Sequence, residues 1–84
     1  MAQGDKYLAR GDVVPARLFY RQAADADRAA AALRLGETYD PLFLERARLR
    51  GVRPDLDQAI AWYRRARDLG STEAASLLKS LRAD

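Results

Sequence analysis

Apolar residues recur along much of this chain every three or four positions, which is the period of an amphipathic α-helix. The clearest stretch is residues 54–70, whose apolar positions are Leu56, Ala59, Ile60, Tyr63, Ala66 and Leu69. Asp55 precedes this stripe and Gln58 follows three residues later, which is the pattern of a capping box. Gly70 provides a residue that can end the helix in the left-handed conformation. The stretch therefore predicts one helix with both ends defined.

The same periodicity predicts four more helices and a short connector helix. The four are expected over residues 2–10, 12–25, 27–39 and 71–82, and the connector within residues 42–50. N-caps are expected at Asp12, Asp40, Asp55 and Ser71. No segment has the alternating pattern of a strand, so the predicted fold class is all-α.

Gly36 lies inside the predicted helix 27–39, where glycine costs about 1 kcal/mol relative to alanine. A packing reason is expected for it. The prediction is that another helix crosses so closely at Gly36 that a methyl group does not fit.

Composition limits the chemistry available to the chain. Its 84 residues predict one domain, residues 1–84, and they contain neither cysteine nor histidine. The usual zinc sites and the histidine-dependent nucleophile pairs are therefore excluded. Most carboxylates are assigned to caps and first turns, and the five glycines are isolated, so no phosphate-binding loop is present. We expect no enzyme, and we predict no catalytic residue, cofactor site or metal site.

The net charge of +3 is a modest basic excess. The arginines are densest over residues 46–67, but acidic residues are interleaved there, which favours ion pairs on helix surfaces. Nucleic-acid binding through this Arg-rich region remains a minor alternative, because such binding needs the charge gathered on one face with exposed aromatic residues.

No membrane contact is expected from this segment itself. The longest uninterrupted apolar run is five residues, 29–33, far short of the roughly 20 that span a bilayer. Two locations stay open, the cytoplasm or a soluble periplasmic part of a longer bacterial protein.

The chain also contains an internal repeat. A shift of 43 residues aligns residues 12–36 with residues 55–79 without a gap, and nine of the 25 aligned positions are identical. The repeat includes a cap, an apolar stripe and a stripe of small residues, which are features that stacked helical hairpins require.

These residues resemble the SEL-one-like repeat (SLR) branch of the tetratricopeptide-like solenoids. The matching positions are Ala31, Leu35 to Tyr39, Gly51 to Asp55, Ala59, Trp62, Tyr63, Ala66, Gly70 and Ala74. Two features depart from the family pattern: the segment from Asp40 to Arg50 is longer than the usual loop, and Lys79 replaces the glycine expected by analogy with Gly36.

The resemblance implies a right-handed superhelical stack of antiparallel helical hairpins. Residues 2–26 are then the first hairpin, 27–70 a complete repeat with an insertion at 40–53, and 71–84 a capping helix. The expected core of the repeats is formed by Ala16, Tyr20, Ala32, Leu35, Gly36, Tyr39, Ala59, Trp62, Tyr63, Ala66 and Gly70. Trp62 is expected to pack between hairpins rather than to bind a ligand.

The resemblance also implies a function without chemistry, that of a scaffold or adaptor. The first helix of each pair is expected to line a concave groove that binds a partner protein or peptide. In this chain the groove residues would be Ala30, Leu33, Arg34, Glu37 and Asp40. The alternative is self-association, in which the chain forms a homodimer as part of a larger bacterial protein.

Overall fold

The computed structural model describes residues 1–83, and these residues form six α-helices and no β-strand. The helices are α1 (Ala2–Ala9), α2 (Val13–Asp25), α3 (Ala29–Tyr39), α4 (Pro41–Arg46), α5 (Leu56–Asp68) and α6 (Thr72–Ser80). The all-α prediction is confirmed, and α4 is the predicted connector. The predicted capping helix reached to Asp84, which lies outside the described residues.

Each long helix packs mainly against its neighbours along the chain. α1 contacts α2, α2 contacts α3, α3 contacts α5, and α5 contacts α6, while the short α4 contacts α3. The three-residue links at 10–12, 26–28 and 69–71 make the helices they join turn back antiparallel. α3 is consequently the central helix, with α2 on one side and α5 on the other.

The core consists of two apolar clusters that lie along α3. The smaller cluster contains Ala16, Tyr20 and Leu35. The larger contains Ala24, Ala31, Ala32, Leu33, Ala59, Tyr63, Ala66, Ala74 and Leu78. Trp62 is half-buried and packs against both clusters.

A glycine receives a tyrosine ring at two helix crossings. A Cβ added to Gly36 would lie 2.6 Å from ring atoms Cδ1 and Cε1 of Tyr63 and 3.2 Å from the carbonyl oxygen of Ala59. At Gly4 an added Cβ would lie 2.5 Å from Cε1 of Tyr20. Such distances leave no room for a methyl group, so the close crossing predicted at Gly36 is confirmed, and Gly4 marks an equivalent crossing of α1 and α2.

Three of the four predicted side-chain caps form. The carboxylate of Asp40 accepts a hydrogen bond from Leu42 N–H, that of Asp55 from Gln58 N–H, and the hydroxyl of Ser71 from Ala74 N–H. The prediction for Asp12 was wrong, because its side chain accepts no bond from α2. Its backbone lies outside the extended region, with ψ of 78°, whereas the three residues that do cap are extended, with ψ of 97° to 117°.

α3 begins two residues later than the predicted Asp27. Asp27 has φ of 60°, in the left-handed region, which a right-handed helix cannot include. Arg48, with φ of 56°, likewise follows the end of α4.

Candidate interaction groove

An open groove with a volume of about 300 Å³ lies between α3, α4 and α6, with α5 at its base. We call it the α4 groove, because the inserted helix α4 forms one of its walls. Its lining residues are Glu37, Asp40, Leu42, Phe43, Arg46, Tyr63, Glu73, Leu77, Ser80 and Leu81.

The α4 wall is held in place by one cap and one buried leucine. Asp40 Oδ1 accepts the N–H of Leu42 at 2.9 Å, which caps the first turn of α4. Leu44 is buried, and its carbonyl oxygen accepts Leu49 N–H at 2.9 Å as the chain leaves the helix. With Leu44 inside, Leu42 is 50% exposed and Arg46 is exposed, and both line the groove.

Asp40 joins the base of the groove to its wall. Its second carboxylate oxygen, Oδ2, accepts a hydrogen bond from the hydroxyl of Tyr63 at 2.7 Å, so both oxygens have partners within the chain. Burial, and then the hydrogen bond to Asp40, raise the pKa of the Tyr63 phenol above its ordinary value of 10. Tyr63 therefore stays protonated and donates to Asp40 throughout the physiological pH range.

Glu37 is a buried carboxylate on the α3 side of the groove. It is 8% exposed, and its Oε1 accepts a hydrogen bond from Arg34 Nη1 at 2.6 Å. Burial raises the pKa of Glu37 and is opposed by the bond to Arg34, while the nearby charges of Glu73 and Asp40 raise the pKa further. The three acids therefore lie close enough for their charges to interact, and Arg34 offsets part of this negative charge.

The α6 side supplies apolar surface and one exposed acid. Leu77 and Leu81 are half-buried and pack on the larger core cluster, while Glu73 lies exposed in the first turn of α6. Within residues 1–83, no three acidic side chains lie close enough together to hold a metal ion. The groove thus combines apolar side chains with charges of both signs, an arrangement suited to binding side chains of another molecule.

The structure places two of the five predicted groove residues, Glu37 and Asp40, in the α4 groove. Arg34 lies beside them through its bond to Glu37, and Ala30 is exposed on α3. Leu33 is 6% exposed and belongs to the larger core cluster, so a substitution there would change folding and binding together.

Most residues of the groove lining were not predicted from the sequence. The unpredicted members are Leu42, Phe43, Arg46, Tyr63, Glu73, Leu77, Ser80 and Leu81. The cap at Asp40 and the apolar run that follows it indicated a helix there, but not the side on which that helix packs.

The arginines of α5 are largely engaged within the chain. Arg64 donates to the carbonyl oxygen of Ala83, Arg65 pairs with Asp27, and Arg67 pairs with Asp68. Their charges are shared with acids and a carbonyl group, which supports the view of this region as a helix surface with ion pairs.

Comparison with known proteins finds no match to this chain among protein-family models, curated proteins or solved structures. None of the helices in residues 1–83 has the length and apolar character needed to cross a lipid bilayer.

Proposed function

We propose that this chain is a non-enzymatic protein–protein interaction module whose α4 groove receives a peptide segment of a partner protein. The α4 groove itself carries the proposal, because it is an open cleft whose walls come from three helices. Leu42, Phe43, Leu77 and Leu81 lie together in its lining, and a contiguous apolar surface of this kind is what binding to a partner removes from water.

The groove is also preorganised. Asp40 is bonded at both oxygens, Tyr63 is fully buried, and Gly36 lets α5 cross α3 closely. A rigid cleft loses little conformational freedom when a ligand binds, so more of the contact energy is available for affinity.

We further propose that the helices form a short SLR-type stack, with α1/α2 and α3/α5 as hairpins and α6 as the cap. Two observations support this organisation. The 43-residue repeat relates α2 to α5, and the glycine–tyrosine crossing of Gly4 with Tyr20 recurs at Gly36 with Tyr63.

The test uses two exposed leucines as a matched pair. Leu42 is 50% exposed in the groove, and Leu18 is 63% exposed on α2, outside it. Leu42→Gln should abolish co-purification of partner proteins from the native cells, and Leu18→Gln should leave it intact, with equal helicity by circular dichroism. Partner recovery that is unchanged by Leu42→Gln would contradict the proposal.

Self-association is the second candidate function. It is favoured by Val14 and Leu18, which are 67% and 63% exposed one helical turn apart on the outer face of α2. If this face pairs with another copy, light scattering will give the mass of a dimer, and Leu18→Gln will convert it to a monomer. A monomeric wild-type chain at high concentration would remove this candidate.

A further inference from the structure

We infer that the α4 groove takes a cationic, apolar peptide segment, in which a lysine or arginine side chain lies beside aliphatic or aromatic side chains. This inference rests on the proposed function and adds the chemical class of the partner.

The local charge of the groove favours a cationic ligand. Three carboxylates, from Glu37, Asp40 and Glu73, line the groove together with one cation, Arg46. A second cation, Arg34, lies beside the lining and pairs with Glu37, so the acids outnumber the nearby cations by one. The chain as a whole carries a net charge of +3. The groove is therefore an acidic site on a basic molecule, and a cationic segment is attracted to it more than to the surrounding surface.

Only one of the three acidic groups is fully available to a ligand. Asp40 has both oxygens occupied, and Glu37 uses Oε1 for Arg34. Glu73 is exposed, and it takes part in none of the three ion pairs found within residues 1–83. Glu73 is consequently the acid best placed to pair with an incoming cation, because the charge of Glu37 is offset by Arg34.

Apolar surface lies next to these acids. Leu42, Phe43 and Leu77 lie in the same lining, with Leu42 half exposed. The methylene stem of a lysine or arginine can lie along such a surface while its charged end reaches a carboxylate. An aliphatic or aromatic neighbour in the peptide can cover what remains of the apolar lining.

The positive charge of Arg46 provides a test of whether the ligand is cationic. It lies exposed in the last turn of α4, lines the groove, and joins none of the ion pairs of residues 1–83. Arg46 repels a cationic ligand, so removing its charge should strengthen binding, whereas removing that of Glu73 should weaken it.

The experiment compares two fluorescent 12-residue helical peptides that differ only in charge, one of leucine and lysine and one of leucine and glutamate. Fluorescence anisotropy on the intact chain should show the lysine peptide binding about tenfold more tightly in low salt, with the difference shrinking as salt rises. A peptide of serine and lysine should bind more weakly than the leucine and lysine peptide, because it lacks the apolar side chains.

Charge-neutral variants locate the binding. Glu73→Gln should weaken binding of the lysine peptide by about two- to fivefold, and Arg46→Ala should strengthen it by a similar factor. The matched controls are Asp57→Asn, an exposed acid in the first turn of α5, and Arg50→Ala, an exposed arginine after α4; neither lines the groove, and neither should change affinity.

A failure of the inferred ligand class can be distinguished from a failure of the proposed function. If both peptides bind equally, or if Glu73→Gln and Arg46→Ala act like their controls, the inferred charge class is overturned, while the proposed function stands as long as Leu42→Gln still abolishes partner recovery. If Leu42→Gln also has no effect on recovery, the proposed function fails as well. A dimer that dissociates on Leu42→Gln would identify a second copy as the occupant and overturn the inference.

Discussion

At the scale of single residues, two tyrosines do the same work at two helix crossings. Tyr20 and Tyr63 are both fully buried, and each ring lies over a glycine. The hydroxyl of Tyr20 donates to a carboxylate within α1, and that of Tyr63 donates to the carboxylate of the residue that caps the C-terminus of α3. The acceptors are Asp5 at 2.6 Å and Asp40 at 2.7 Å. A buried phenol needs such a partner, because an unpaired buried hydroxyl costs free energy.

Gly36→Ala is expected to destabilise the fold by about 1–3 kcal/mol through overpacking. The Tyr63 ring cannot move away cheaply, because it is fully buried, and the backbone oxygen of Ala59 limits the other side. Alanine returns up to about 1 kcal/mol of helix propensity, which lowers the net cost. Urea unfolding measures the effect. In the double variant Gly36→Ala with Tyr63→Leu the clash should be partly relieved, and strictly additive free energies would contradict the crossing.

The hydroxyl groups of Tyr63 and Tyr20 should contribute differently to the free energy of unfolding. Tyr63→Phe leaves an oxygen of Asp40, which is 4% exposed, without its donor, at an expected cost of about 1–3 kcal/mol. Tyr20→Phe affects Asp5, which is exposed and can bind water instead, so about 0.5–1.5 kcal/mol is expected. Chemical denaturation at pH 7 compares the two, and a larger loss for Tyr20→Phe would contradict this order.

The dependence of stability on alkaline pH provides a second test of the buried Tyr63. Burial, followed by the bond to Asp40, raises the pKa of Tyr63 above 10, so the folded state keeps a proton that the unfolded state loses. The free energy of unfolding must therefore fall as pH rises above 10, by about 1.4 kcal/mol per pH unit for each such group. Between pH 9 and pH 11, Tyr63→Phe should lose about 1.4 kcal/mol less than the wild-type chain. Parallel stability curves would show that Tyr63 does not titrate in this way.

At the scale of elements, the helices were predictable because their signals are local. Apolar period, caps and terminal glycines are all read within one or two turns, and they placed the ends of α2 and α5 within one residue. Asp12 shows where this reasoning stops. Its residue type is right for a cap, but its backbone angles depend on the path of the chain from α1, where its own N–H donates to the carbonyl oxygen of Tyr7.

The difference between the two predicted caps is measurable. Asp55→Ala should cost about 0.5–2 kcal/mol, because the bond from Gln58 N–H to Asp55 Oδ1 is lost. Asp12→Ala should change stability by no more than a few tenths of a kcal/mol, since no bond to α2 is broken. Thermal or urea unfolding of both variants decides the matter; equal losses would mean that Asp12 caps α2 in solution.

The α4 groove could be predicted only in part, because its walls come from distant segments. Helical periodicity placed Glu37 and Asp40 on a common side of α3. The course of residues 40–53 depends instead on long-range contacts. One is the bond from Asp55 N–H to the carbonyl oxygen of Tyr39 at 2.8 Å, which brings the two ends of the insertion together. Another is Arg17 of α2, which donates to the carbonyl oxygen of Arg53 at 3.2 Å.

Lys79 occupies the position in α6 that Gly36 has in α3, by the 43-residue repeat. A tyrosine ring can cross α3 at Gly36 because no side chain is present there. The lysine side chain removes that space on α6. This difference supports the proposal that α6 caps the stack, since a further hairpin could not pack on it in the way that α5 packs on α3.

At the scale of the whole molecule, cohesion depends on a few residues that span both core clusters. The clusters are small and rich in alanine, and Tyr39 and Trp62 are among the side chains that pack against both. Tyr39 is further fixed by the guanidinium of Arg17, which lies 3.9 Å from its ring centroid. Trp62 faces Arg21 at 5.7 Å from its ring centroid. Aromatic side chains thus contribute to the packing that joins the two core clusters.

Trp62→Ala is therefore expected to destabilise the whole chain rather than one hairpin, by about 3–5 kcal/mol. The lost ring leaves a cavity between the two clusters and removes the contact with Arg21. Since a domain of this size has roughly 5–15 kcal/mol of total stability, the variant should unfold at a clearly lower temperature. Trp62→Phe, which keeps an aromatic ring between the clusters, should lose much less. Circular dichroism follows both variants, because Trp62 is the only tryptophan and fluorescence is lost with it. An unchanged melting temperature for Trp62→Ala would show that the clusters are joined by other contacts.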